Sequence, residues 1–187
     1  GLIEALRAIY PAKEFLELVH RLDRDTSGLI LVADKRSILR HLHEQLRDGK
    51  MQKVYVALLA GNLKGANHKV TAPLDKTNLA SGERVVRVSR EGKAAETHFK
   101  VIERFENCTL VEARPLTGRT HQIRVHFKAI NHPVVGDTLY APNHPQMLGF
   151  KRLALHSRHI SFTSLDGERV EVDAPLPKDF QEALKKF

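Results

Sequence analysis

From residue 52 onward the chain keeps returning to one pattern, short extended segments separated by brief turns. Residues 52–60 alternate with the period of a strand: Val54, Val56 and Leu58 project to one side, and Lys53, Tyr55, Ala57 and Leu59 to the other. Tyr55 is thereby separated from the aliphatic row and shares a face with a lysine. Further strands are expected near 84–89, 94–104, 108–113, 152–164 and 168–173, and Gly28-Leu-Ile-Leu-Val-Ala33 reads as a buried strand. Strand neighbours joined by short turns favour a mixed, largely antiparallel sheet.

Helical segments are interleaved with these strands. Residues 2–9 carry a helical pattern, and Asp34 offers an N-cap to a helix over about 35–48. In that helix Ile38, Leu39, Leu42 and Leu46 form one apolar stripe, and Gly49 supplies the stop. A helix over roughly 120–130 would bury Ile123, Phe127 and Ile130, with His121, Arg124 and Lys128 beside that stripe. A short closing helix is expected from about 178. The class is α+β, and the absence of repeats, low-complexity tracts and linkers makes residues 1–187 one domain.

At 187 residues the chain can build one core, burying roughly 70% of its unfolded surface. No apolar run approaches the roughly 20 residues that cross a bilayer, and the N-terminus is not signal-like. The first residue is Gly1, as expected of a fragment or a processed chain. Cys108 is the one cysteine, so no intrachain disulfide can form; in its extended apolar run it reads as a small buried thiol. A reducing cytoplasm is the expected compartment.

Charge narrows the class of partner. Thirty Lys and Arg against 22 Asp and Glu give a net charge of +8, which suits a polyanion. Residues 35–53 hold six Lys/Arg, two acids, His41 and His43. Residues 114–128 hold Arg114, Arg119, Arg124 and Lys128 with His121, His126 and no acid. Two such clusters favour nucleic acid over a diffuse solubilising charge.

The most informative segment is His20-Arg-Leu-Asp-Arg-Asp-Thr-Ser-Gly28, a loop between extended apolar stretches. Taken by composition, Asp, Thr and Ser in such a place are turn chemistry. Taken in order, His-Arg-Leu-Asp-x-x-Thr-Ser-Gly resembles the signature of the RluA/RluC family of RNA pseudouridine synthases. Gln52-Lys-Val-Tyr-Val-Ala57 is similar to that family's strand with an active-site tyrosine. Leu116-Thr-Gly-Arg-Thr-His-Gln-Ile-Arg-Val-His126 is similar to its motif with a basic residue that pairs with the aspartate. His132-Pro-Val-Val-Gly-Asp137 and Arg152-Leu-Ala-Leu-His156 are also alike, so the resemblance runs over nearly the whole chain, and overall it is greatest to the RluC branch. The family's upstream Lys-Pro-x-Gly segment, and the S4 RNA-binding module of many members, have no counterpart here. The sheet is therefore expected to lack a strand.

The resemblance implies the pseudouridine synthase fold, with helices flanking the sheet and an RNA cleft along it. It implies an isomerase that detaches uracil from its ribose, rotates it, and rejoins it through carbon. Cleaving a glycosidic bond develops positive charge on the sugar, so a carboxylate near the anomeric carbon is required. A hydrolase needs a second carboxylate; here the uracil is kept and one suffices, a role the resemblance gives to Asp23. Asp25 reads as a turn or capping residue. Arg124 matches the basic residue that keeps Asp23 ionised inside a cleft. Tyr55 is implied to stack on the target base, with the C5 proton as a second task left open. Arg21 is implied to fill the place of an extruded uridine or grip the neighbouring phosphate, His121 to contact RNA, and Arg119 to contact a backbone phosphate or serve the structure.

Metal binding is not expected: His121 and His126 are five apart, His41 and His43 diverge, and no cysteine pair exists. No glycine-rich phosphate loop is present, and the family needs no cofactor. The expected partner is RNA, large-subunit ribosomal RNA above all, with no membrane contact and a monomeric state. A non-catalytic RNA-binding module on the ribosome explains the basic clusters equally well. It leaves the carboxylate loop, strand tyrosine and helix arginine unexplained.

Overall fold

The computed structural model describes residues 1–82, 84–144, 147 and 149–186. Its elements follow in the order α1 (Leu2–Ile9), β1 (Glu17–Leu18), β2 (Ser27–Gly28), β3 (Val32–Ala33), α2 (Arg36–Arg47), β4 (Gln52–Ala60), β5 (Asn67–Thr71), β6 (Leu74–Asn78) and β7 (Arg84–Val88). Then come β8 (Glu96–Arg104), β9 (Cys108–Pro115), α3 (Gln122–Ala129), β10 (Leu155–Thr163), β11 (Arg169–Asp173) and α4 (Lys178–Leu184). The main sheet runs β11-β10-β4-β9-β8-β5 through antiparallel pairs, and β2 adds to β10 in parallel. The class is α+β with a mixed, mostly antiparallel sheet, as the strand spacing predicts.

β4 lies between β10 and β9, and every residue from Val54 to Ala60 is buried. Its alternation therefore separates two covered faces rather than a wet face from a dry one. The principal core gathers Leu58, Leu59, Val111, Phe127, Val134 and Phe180 from the sheet, α3, α4 and a loop. Each such side chain contributes roughly 1.5–3 kcal/mol on burial. Leu42 of α2 joins Val19, Ala33, Met51 and Ile160 in a second cluster. The β6–β7 hairpin stands outside the main sheet and packs Leu74, Val85 and Val86 against Val125 and Tyr140. Cys108 is fully buried, as expected. Among the described residues no helix is long and apolar enough to cross a membrane.

Several expectations are corrected. Gly28–Ala33 is not one buried strand: Ser27–Gly28 pairs with β10, Val32–Ala33 pairs with β1, and the residues between are half-buried. An apolar run can serve two partners by turning between them, which hydrophobicity does not reveal. Asp34 does not cap α2; Lys35 occupies that position without a side-chain hydrogen bond, while Asp34 accepts from Lys13 Nζ at 2.7 Å. β5 and β6, rich in Asn, Lys, His and Thr, went unforeseen because they show one buried residue apiece. α3 is buried from Gln122 to Phe127, not on a stripe, because the hairpin covers the side that a surface helix would leave wet.

Candidate active site

The loop of residues 19–26 leaves β1 and returns at β2, so its ends are fixed by two sheets. Gly28 allows the return. Its φ is +105°, and a Cβ there would fall 2.2 Å from the Ser157 carbonyl oxygen, so any other residue would push β2 off β10. The Leu29 N–H donates to that same carbonyl at 3.0 Å. Within the loop the Thr26 N–H donates to the Asp23 carbonyl at 3.0 Å, closing a turn with Asp23 at its head. Asp25 lies in the turn, exposed, and its carbonyl accepts from Arg152.

The partner of Asp23 comes from α3. Gln122, buried at the first turn, receives the Thr117 hydroxyl and the Arg119 N–H on its Oε1, and its Nε2 donates to Glu96 O and Thr97 Oγ1. Those four bonds tie the loop before α3 to β8. Arg124, next on the inward side, forks onto Asp137: Nε to Oδ2 and Nη2 to Oδ1, both 2.8 Å. Its remaining nitrogen, Nη1, donates to Asp23 Oδ2 at 3.3 Å. The Asp137 side chain is 1% exposed, Arg124 10% and Asp23 13%. Asp137 also accepts the N–H groups of Leu139 and Tyr140. Gly136 brings it there, at φ +76°, where a Cβ would sit 2.1 Å from the Arg152 carbonyl oxygen. A guanidinium so enclosed must be paired to stay buried, and burial acting against the two carboxylates leaves Arg124 above its ordinary range.

His121 opens α3 with φ +52°, a left-handed conformation that aims its imidazole into the cleft. Its Nε2 lies 3.9 Å from Asp23 Oδ1, and its Nδ1 is 2.6 Å from the Tyr140 hydroxyl. Val86 N–H of the hairpin donates to that hydroxyl at 3.0 Å. With Oη already accepting, the arrangement that serves all three groups has Tyr140 donating to Nδ1 and His121 carrying its proton on Nε2, towards Asp23. Burial holds His121 below the usual imidazole range; Asp23 opposes that, and Arg124 and Arg21 reinforce it. The Arg124 guanidinium also lies 5.0 Å from the centre of the Tyr140 ring.

In front of this cluster lies a cleft of about 100 Å³ whose walls include Arg21, Asp23, Lys53, Tyr55, Gly118, Arg119 and His121. Among the described residues that line it, Asp23 is the one carboxylate. Tyr55 is buried, and desolvation pushes its phenol up to about 12; Asp23 adds to the rise. Ser157 opposes it, although the Ser157 hydroxyl makes no hydrogen bond of ordinary geometry with a described residue. Arg119 is exposed and held by a 3.0 Å bond from Nε to the Ala94 carbonyl. Arg21 is exposed at the rim. Burial lowers Lys53.

The structure thus brings Asp23, Tyr55, Arg21, Arg119 and His121 to one cleft, with Arg124 behind Asp23. Arg124 does not lie on a solvated helix flank, because Asp137 and the Tyr140 ring enclose it. Sequence reasoning missed Asp137, Tyr140 and Lys53 as parts of the site. The motif segment around Asp137 carried a signal without a role; Tyr140 carried none, and Lys53 was visible only as a neighbour of Tyr55. His126 proves structural, bonded to Thr97 and Ala72.

Residues 5–129 match the family model described as RNA pseudouridylate synthase. Similar proteins include the "Ribosomal large subunit pseudouridine synthase C" of Pasteurella multocida (strain Pm70), 52% identical over 98% of this chain and 58% of that protein. The protein of the same name from Escherichia coli (strain K12) is 50% identical over 100% and 61%. The chain spans about 60% of the length of these curated relatives. Among solved structures, "Human RNA Pseudouridylate Synthase Domain Containing 1" aligns with a TM-score of 0.78 and 29% identity, over 95% of this chain and 74% of that one. "Human RNA Pseudouridylate Synthase Domain Containing 4" gives 0.79 and 26%, over 99% and 81%.

Proposed function

On the premise that this chain belongs to the RNA pseudouridylate synthase family, we propose that it isomerises uridine to pseudouridine in large-subunit ribosomal RNA, with Asp23 as the nucleophile. The observation that carries this reading is a cleft carboxylate, the one among the described lining residues, 3.3 Å from a guanidinium that is itself forked onto buried Asp137. One carboxylate beside a cation suits attack on a sugar carbon; hydrolysis would want a second carboxylate for water or the leaving group.

The target uridine leaves its stack, at a cost of a few kcal/mol, and Arg21 at the rim takes the vacated place. The base lies against the Tyr55 ring, a contact worth roughly 1–3 kcal/mol. The Asp23 carboxylate attacks C1′, and the N1–C1′ bond breaks with its electron pair remaining on uracil. The base turns; C5 bonds to C1′ and expels the carboxylate. The C5 proton must then depart. A phenol held near 12 is neutral and can take that proton only while passing on its own. Asp23, freed as a carboxylate at the same step, is the acceptor whose charge Tyr55 already feels. The proton leaves from there to N1 or to solvent, and no net atom is gained or lost.

The test uses RNA tritiated at C5 of uridine. The protein is expected to release tritium, and Asp23→Asn to bind RNA without releasing any. An active Asp23→Asn protein would refute the assignment. Binding by the unaltered protein without tritium release would leave a ribosome-associated RNA-binding module.

A further inference from the structure

Lys53 is a cation of the cleft for which the isomerase steps have no use. It projects from β4 two residues before Tyr55, on the same face of the strand, so the two side chains start about 7 Å apart. That is the scale of one nucleotide from base to backbone. The ammonium lies against the loop before α3, where a Cβ on Gly118 would sit 3.7 Å from Nζ. It makes no ion pair or hydrogen bond with any described residue, although it is close enough to His20 to help lower that imidazole.

A partly enclosed cation without a counterion is unfavourable unless something else supplies the charge. Asp23 does not, being matched by Arg124. Arg21 and Arg119 on the same cleft add positive charge, so the cleft walls carry more cations than carboxylates. The shape of the group is compatible too: a lysine ammonium is a compact point charge with three donors, and binds a phosphate oxygen as such.

Taking the isomerase reading as its basis, we propose that Lys53 seats a backbone phosphate. Its ammonium takes a non-bridging oxygen of a phosphodiester flanking the nucleotide whose base lies on Tyr55, and so sets how far the ribose enters towards Asp23. Burial favours the same outcome, since Lys53 is lowered by desolvation alone and an anion would reverse that.

The test is a stem-loop RNA centred on the uridine that stays unmodified in ribosomal RNA from cells lacking this protein. The two flanking phosphates are replaced, one at a time, by neutral methylphosphonate. At one of the two positions the unaltered protein should lose about 10- to 100-fold in affinity, the range of a charge-assisted hydrogen bond. Lys53→Met should lose a similar factor on unmodified RNA and nothing more on that methylphosphonate RNA. Its salt dependence should fall by about 0.7–0.9 in log-log slope, and Lys53→Arg should recover most of the affinity. Losses that multiply at both positions, or an unchanged affinity for Lys53→Met, overturn the phosphate seat. If Lys53→Met melts early, Lys53→Gln and Lys53→Arg carry the same comparison. Tritium release by the unaltered protein is scored separately: its absence sinks the isomerase reading, whereas release without any methylphosphonate effect sinks only this proposal.

Discussion

The two sides of the cleft satisfy their charges in opposite ways. Behind Asp23, Arg124 and Asp137 are buried, and each hydrogen bond of the guanidinium fork has a carboxylate oxygen to meet it. On the open walls, Arg21 is exposed, Lys53 has no counterion among the described residues, and Arg119 donates from Nε to a backbone carbonyl. The enclosed side holds the Asp23 carboxylate in place. The open side leaves its charge for a partner to neutralise. On the proposed reading, a fixed carboxylate facing cations without described counterions suits a flexible polyanion, because orientation would come from the protein and affinity from the backbone it grips.

The largest effect should come from removing the carboxylate proposed as nucleophile. Asp23→Asn is expected to lower tritium release by about 10⁴-fold or more while RNA binding persists. Arg124→Met attacks the enclosed side and should cut turnover by about 10²- to 10³-fold. It leaves Asp137 buried and unpaired, a destabilisation of about 3–5 kcal/mol visible as a lower melting temperature. Arg124→Lys should restore little, since an ammonium cannot fork; near-normal turnover in either variant would remove Arg124 from the site. Tyr140→Phe is gentler. It strips the bridge between the Val86 N–H and His121, and leaving that donor unpaired should cost about 1–3 kcal/mol of stability. A loss of turnover near tenfold is expected as His121 loosens, and an unchanged melt and rate would detach the hairpin from the site.

The smallest effect is set by pH. Burial, aided by Lys53, holds His20 down to about 4, and burial lowers His121, His126 and His156 as well. The unfolded chain takes these protons near pH 6.5, whereas folded His20 refuses its own until about 4. Stability is therefore fully present above about 6.5 and is lost as pH falls towards 4. Urea midpoints at pH 7.5 and 5 should show the decline; a midpoint that rises on acidification contradicts it.

Local order in the chain carried a great deal. Period-two alternation marked β4, and the apolar stripe of Ile38, Leu39, Leu42 and Leu46 marked α2, because these signals repeat within a few residues. The ordered motif around Asp23, the strand with Tyr55 and the segment with Arg124 were legible as belonging together. What the three-dimensional packing alone decided is the state of those groups. Arg124 is enclosed because Asp137, thirteen residues away, folds back through a glycine turn, and His121 is held because Tyr140 bridges it to a hairpin whose first strand has little hydrophobic signature. Spacing along a chain records which residues can share a face. Burial, pairing and proton placement depend on which distant segments close over that face, and those contacts exist only once the sheet has brought them together.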